Sequence, residues 1–267
     1  MIDEGGARES TGPNVTNILL TDRDFEVLMS LYENVVMTFS QVAGRHFAIN
    51  KKPTTMNRLA KLESAGLIRR ERIPKMRLGL DYHAVGVVFQ ITKLGISRLA
   101  ARNPRVDFKP MPIRLHPYTL HHDLILVDLA SRLKAWWPDA EVINGKHLFQ
   151  SGLGSKGLEP DLVLQMPEAK ARVAIELELS DKSESRYREI VLRYRMANEY
   201  SKVIYFVGRQ FIRDVMTRVI LNRPVGKGET PDTDKFEFFD AFEFLKASPE
   251  KATANDNTKP LTIGGTI

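Results

Sequence analysis

Residues 51–77, KKPTTMNRLAKLESAGLIRRERIPKMR, constrain the fold more than any other stretch, because a short helix, a glycine stop and a basic strand follow one another without a break. Pro53 suits a first helical turn, Thr54 and Thr55 offer caps, and Met56, Leu59, Leu62 and Ala65 recur at helical spacing until Gly66 supplies a left-handed stop. Residues 67–73 then read as a strand, 74–79 as a turn and 84–91 as the returning strand, with Thr92 placed to cap a helix through Leu99. Upstream, Thr21 followed by Asp22 and Asp24 marks another helix start, with Phe25, Leu28, Met29 and Tyr32 as its apolar stripe. Ser40 is expected to cap a shorter helix over 41–46, with Val42 and Phe47 facing inward.

The same stretch concentrates charge. It holds nine cations (Lys51, Lys52, Arg58, Lys61, Arg69, Arg70, Arg72, Lys75, Arg77) against Glu63 and Glu71, a local excess of +7 where the whole chain carries +6. The basicity is therefore a local device, and a patch of that kind suits a polyanion. The sequence has no cysteine, which excludes disulfides, thiolate nucleophiles and Cys-based zinc sites and agrees with a reducing compartment. No apolar run approaches the roughly 20 residues of a membrane span, and MIDEGGARES lacks the pattern of a signal peptide. The expectation is a cytoplasmic protein with no membrane partner. Nucleic acid is the favoured ligand, since no helix pairs its charge with an exposed apolar face.

The run RLAKLESAGLIRRERI … VFQITKLGISRLA resembles winged helix-turn-helix DNA-binding domains, which show a recognition helix, Gly-Leu-Ile, a two-stranded wing and then Leu/Ile-Thr-x-x-Gly. The likeness covers about residues 20–100 and sets a domain over 18–102. The third helix would present Lys51, Lys52, Thr54, Thr55, Asn57, Arg58 and Lys61 to a major groove, where polar side chains reach base edges. Arg69, Arg70, Arg72, Lys75 and Arg77 of the wing would contact the backbone and give salt-dependent affinity. Two readings compete with this one: a protein-docking winged helix and an ordinary solvated basic face.

Residues 103–117, with Pro104, Pro110, Pro112 and Pro117, read as a linker, while 1–17 and 246–267 have the composition of disordered segments. Beyond Tyr118, Leu120, Leu124, Val127 and Ser131 share one stripe that Ile125, Leu129, Leu133 and Trp136 widen, as in a packed helix. Strands follow at 140–144, 161–166 and 172–179, then a helix over 183–200, a strand at 203–207, a helix over 211–221 and a strand at 236–240. That order predicts a mixed sheet flanked by helices, so that the chain is α+β in its first domain and α/β in its second. The Gly- and Ser-rich loop 145–159 is placed as a mobile cover for a site.

In 172–179, alternation puts Val173, Ile175, Leu177 and Leu179 on one face and Ala174, Glu176 and Glu178 on the other. Two carboxylates on an apolar strand demand pairing, water or a cation. Asp161 opens the preceding strand, and a hairpin near Pro167 would bring it and Glu176 to one end of the sheet, where hard oxygens suit Mg2+. The arrangement EPDLVLQ … AIELELSDK is similar to the PD-(D/E)XK nuclease superfamily, whose core is a helix, three strands, a helix and a strand. The resemblance implies a restriction-endonuclease-like domain over 118–245, with Asp161 and Glu176 as metal ligands. Glu178 stands where the superfamily has lysine, and Lys182 from the next turn completes the expected catalytic set of Asp161, Glu176, Glu178 and Lys182. The exchange at Glu178 leaves cleavage open. Pairing of Glu176 and Glu178 with Arg172 or Arg186 is the purely structural alternative. His121 and His122 lack metal-ligand spacing and read as satisfied structural histidines, and the seven-residue step from Tyr187 to Tyr194 reads as packing along one helix face.

A winged helix followed by such a domain resembles the replication-relaxation family of plasmid proteins, which includes MobC-type mobilisation relaxases. The likeness runs over about 20–245 and rests on element order and on IELELS with a Tyr-rich helix downstream. It implies a homodimeric, sequence-specific double-stranded DNA-binding protein of plasmid replication, mobilisation or transcription control. The alternative is a Mg2+-dependent endonuclease or relaxase that nicks a phosphodiester.

Overall fold

The computed structural model describes residues 18–47, 52–77, 84–104, 106, 115, 117–150, 158–167, 172–221 and 232–247; the expected disordered segments 1–17 and 248–267, and most of the linker 103–117, lie outside them. The first layer contains α1 (Asp22–Asn34), β1 (Met37–Thr38), α2 (Phe39–His46), α3 (Lys52–Ser64), β2 (Ile68–Arg77), β3 (Ala84–Ile91) and α4 (Lys93–Arg102). Its sheet has the order β1-β3-β2, antiparallel throughout, and β2 slips register against β3 between Arg72 and Met76. Val27, Leu28 and Leu31 of α1 form its core with Leu59 and Leu62 of α3 and Ile96 and Leu99 of α4.

Several boundaries differ from expectation for local reasons. α2 starts two residues early because Thr38, not Ser40, caps it: the Thr38 Oγ1 accepts the Gln41 N–H at 3.1 Å and the Gln41 side chain accepts the Thr38 N–H at 2.9 Å, a reciprocal box. α3 starts at Lys52, so Thr54 and Thr55 lie inside it instead of capping it, and its buried stripe is Thr55, Leu59 and Leu62. β1 is too short to read from sequence, and β2 runs on through the expected turn to Arg77.

The Thr-x-x-Gly element has a physical cause. Thr92 Oγ1 accepts the Gly95 N–H at 3.1 Å and donates to the Gly66 carbonyl at 2.5 Å, joining the start of α4 to the end of α3. Gly66 sits at φ 70°, the left-handed stop. Gly95 packs so closely on the chain that a Cβ there would lie 2.2 Å from the Leu67 carbonyl oxygen.

The second layer comprises α5 (Pro117–Trp136), β4 (Glu141–Asn144), α6 (Gly145–Gln150), β5 (Leu162–Gln165), β6 (Arg172–Glu178), α7 (Glu184–Met196), β7 (Tyr200–Val207), α8 (Gln210–Leu221), a 3-10 turn at Asp232–Lys235, β8 (Phe236–Asp240) and α9 (Ala241–Lys246). The sheet order is β4-β5-β6-β7-β8; β4, β5 and β6 form an antiparallel meander, and β7 and β8 run parallel to β6. Val173, Ile175 and Leu177 of β6 face Ile125, Leu129 and Leu133 of α5 and Leu245 of α9. Ala174 faces Tyr187, Val191 and Tyr194 of α7 and Ile212 of α8. The helix expected over 183–200 ends at Met196, Tyr200 opening β7 instead, and α6 occupies the start of the expected loop 145–159 while 151–157 lie outside the described residues. Helices and two sheets make this an α+β fold, and among the described residues no helix is long and apolar enough to cross a membrane.

The two layers share α5. Leu120 and Leu124 pack with Val36 and Val88 of the first layer, and Val127 joins its main core. Gln41 Nε2 donates to Leu124 O at 2.8 Å and to Asp128 at 2.9 Å, and Arg45 donates to Val127 O at 2.7 Å. Gly95→Ala is expected to lower stability by about 2 kcal/mol through overpacking, read as a lower urea midpoint at unchanged m, while Ala at exposed Ser97, two residues along the same helix, leaves it unchanged.

Candidate functional site

The expected DNA-contact residues divide into an inward and an outward set. Arg58 turns inward: its Nε donates to Asp24 Oδ1 at 2.7 Å, Nη2 donates to Leu19 O at 2.9 Å, and a second hydrogen bond goes to Asp24 Oδ2. Asp24 is buried and also accepts the Thr21 N–H and hydroxyl, each at 2.7 Å. Burial works against its charge, but the Arg58 and Thr21 hydrogen bonds prevail and hold the carboxyl below its ordinary range. Arg58 thus clamps α3 to α1, and Thr55 is buried with 1% of its surface exposed; both leave the expected groove-facing set. Arg69 donates to Gln90 Oε1 from Nε at 3.1 Å and from Nη2 at 2.6 Å, and Gln90 donates to Val35 O at 3.4 Å, so Arg69 ties β2 to the turn after α1.

Lys52, Thr54, Asn57 and Lys61 on α3 are exposed, as are Arg70 and Arg72 on β2. Arg70 also lies 3.4 Å from the Glu63 carboxylate on α3, which brings the helix and the strand edge together. Lys75 lies in β2 within the register slip and Arg77 beyond it, and Lys51 lies outside the described residues.

The carboxylates gather at one end of the second sheet. Pairing of Leu162 with Ile175 sets Asp161 beside Glu176. Asp161 Oδ2 accepts the Leu177 N–H at 2.7 Å and lies 3.2 Å from His122 Nε2 of α5. His122 Nδ1 is 3.6 Å from Asp123, which also receives Lys146 Nζ at 3.1 Å. Glu176 accepts the Tyr194 hydroxyl, and Glu178 accepts Lys182 Nζ. Gly145 supports the seat of Asp161: its N–H donates to Asp161 O at 3.1 Å, and a Cβ there would fall 1.6 Å from Pro160 O. Arg172 and Arg186, the alternative partners for the glutamates, bond instead to Gln165 at 3.0 Å and Glu189 at 2.6 Å.

Burial and then the charge of Asp161 push Glu176 well above the carboxylate range, and burial raises Glu178 despite Lys182. Burial opposes charge on His122, yet the hydrogen bonds to Asp123 and Asp161 win and raise its pKa to about 10. Mg2+ is ordinarily held by one or two ionised carboxylates with waters and phosphate oxygens. Here Asp161 is engaged by His122 and a backbone N–H, Glu176 by the Tyr194 hydroxyl and Glu178 by Lys182, and among the described residues no three ligating side chains converge. The arrangement as it stands does not fit that ion.

His122, Asp123 and Tyr194 belong to this cluster although none was in the expected set. The signal for His122 was its place three residues before Ile125 and seven before Leu129, on the sheet-facing stripe of α5. A raised folded pKa means that the stabilisation is complete below the ordinary value of 6.5 and lost as pH rises through about 10. His122→Gln is therefore expected to be less stable than the parent by about 2 kcal/mol at pH 6.5, with the gap closing toward pH 10 in urea titrations.

Neither a curated protein nor a solved structure matches the chain. A family model described as replication-relaxation matches residues 28–203, a span from α1 through the carboxylate cluster into β7. That is more than half of the chain, which belongs to the replication-relaxation family.

Proposed function

We propose that this is a sequence-specific double-stranded DNA-binding protein of plasmid replication, mobilisation or transcription control, acting as a cytoplasmic homodimer. In this reading the first layer is a winged helix, α3 is its recognition helix, and β2 and β3 form its wing. One observation carries the reading: once Arg58 and Arg69 are tied inward, the exposed cations Lys52, Lys61, Arg70 and Arg72 remain on the adjoining α3 and β2. A helix with cations near both ends, beside a basic strand, matches a groove walled by phosphates. Two copies related by a two-fold axis would engage two half-sites.

The second layer is read as a nuclease-like domain that serves assembly and positioning and does not cleave. Its expected catalytic set is engaged internally, Lys182 with Glu178, Asp161 with His122 and half-buried Glu176 with Tyr194. Cleavage by a metal-loaded form is the second reading, supported by Asp161 and Glu176 lying across one strand pair.

Both readings are open to measurement on the full chain. Four phosphate contacts from each of two copies correspond to a log–log salt slope of about −7, and replacing Lys61, Arg70 and Arg72 together by Ala should bring it to about −2 with much weaker duplex binding. Unchanged isotherms would remove the assignment. Supercoiled plasmid with Mg2+ is expected to stay intact, whereas nicking that disappears in Glu176→Ala would establish the endonuclease.

A further inference from the structure

We infer that α3 selects A·T base pairs in the major groove, with Asn57 reading adenine and Met56 and Ala60 packing on thymine methyl groups. The inference rests on the DNA-binding reading above and deepens it. With Thr55, Leu59 and Leu62 turned into the core, the 3.6-residue repeat sends Pro53, Met56, Asn57, Ala60 and Lys61 to the opposite side. All five are exposed, and Met56 keeps 42% of its surface open. Lys52 and Lys61 stand toward the two ends of the helix, where they suit phosphates. Between them the centre of the face has no charge: it offers one amide and two apolar side chains.

That composition discriminates among bases. An Asn amide pairs its donor and acceptor with adenine N7 and N6, whereas guanine is read chiefly by a bidentate arginine or lysine. The single arginine of α3, Arg58, is withdrawn onto Asp24 and cannot serve as that reader. The thymine methyl is the apolar group of the major-groove floor, and Met56 and Ala60 are neighbours at i and i+4 that can cover it. A methionine left in water on a face this polar gains nothing from exposure, but contact with a methyl group buries it.

The test is selection of duplexes from a randomised library with the full-length protein, followed by anisotropy titrations on the recovered sequence. The expected result is a core rich in A·T. Replacing its thymines by uracil, which removes only the methyl, should weaken parental binding about threefold per contacted base and should have little effect on Met56→Ala. Asn57→Ala should cut the preference for adenine about tenfold or more while keeping the salt slope. A G·C core, a core indifferent to Asn57→Ala, or binding without any consensus overturns this inference and leaves the DNA-binding reading in place. Failure to retain any duplex at low salt overturns both.

Discussion

The structure depends on one helix being buried along two opposite faces. In α5, Leu120, Leu124 and Val127 fall on one side and Ile125, Leu129 and Leu133 on the other, and each row completes a different core. A helix with a single apolar stripe would join the two layers far less firmly, through contacts such as His147, whose ring packs on Tyr32 and whose Nε2 lies 2.8 Å from Tyr32 O. Here, removing α5 from either layer would expose a row of leucines and strand the Gln41 and Arg45 hydrogen bonds that end on its backbone carbonyls. The candidate recognition helix and the carboxylate cluster are thereby held in one frame, since α2 grips the middle of α5 and His122 projects from its first turns.

Charge is sorted on the same principle. In the first layer a basic run does not mean a uniformly basic surface, because Arg58 and Arg69 each found an acceptor inside the fold. A guanidinium with several donors in a fixed fork can satisfy a buried carboxylate and a backbone carbonyl at once, which a lysine cannot do as well. Asp24, with Thr21 on one side and Arg58 on the other, is satisfied at both oxygens. Lys52, Lys61, Arg70 and Arg72 are left exposed, Arg70 beside the Glu63 carboxylate, and their position beside one another follows from how β2 leaves the end of α3.

Much of this was legible in the sequence, and the exceptions share a cause. The helix, glycine stop and hairpin of the first layer, and the strand alternation of Glu176 and Glu178, are written in local periodicity, and periodicity is what pattern reading detects. The direction of Arg58 was not legible, because it depends on Asp24, 34 residues away. The cap of α2 was misplaced by two residues since Thr38 and Ser40 are both competent, and only the reach of Gln41 decides between them. Val35 adopts φ 67°, with the Val36 N–H donating to Asn34 O at 2.7 Å, a tight turn that a β-branched residue enters at a cost. No glycine announces it, and the reason lies one residue on, where Val36 is delivered into the cluster with Val88, Leu120 and Leu124.

The carboxylate cluster shows how several acids at one sheet end can be accommodated as structure. Three acids at one sheet end would be destabilising if left ionised and bare. A divalent cation is one remedy; the other is to supply positive charge and protons from the chain itself. His122, held charged by Asp123 and Asp161, supplies the first, Lys182 answers Glu178, and burial and the charge of Asp161 raise the pKa of Glu176, which accepts the Tyr194 hydroxyl. These partners come from α5, the β6–α7 turn and α7, so the cluster fastens elements from both faces of the sheet. A set of side chains bonded to one another in this way ties α5, the β6–α7 turn and α7 to the sheet, and so helps to hold the second layer together.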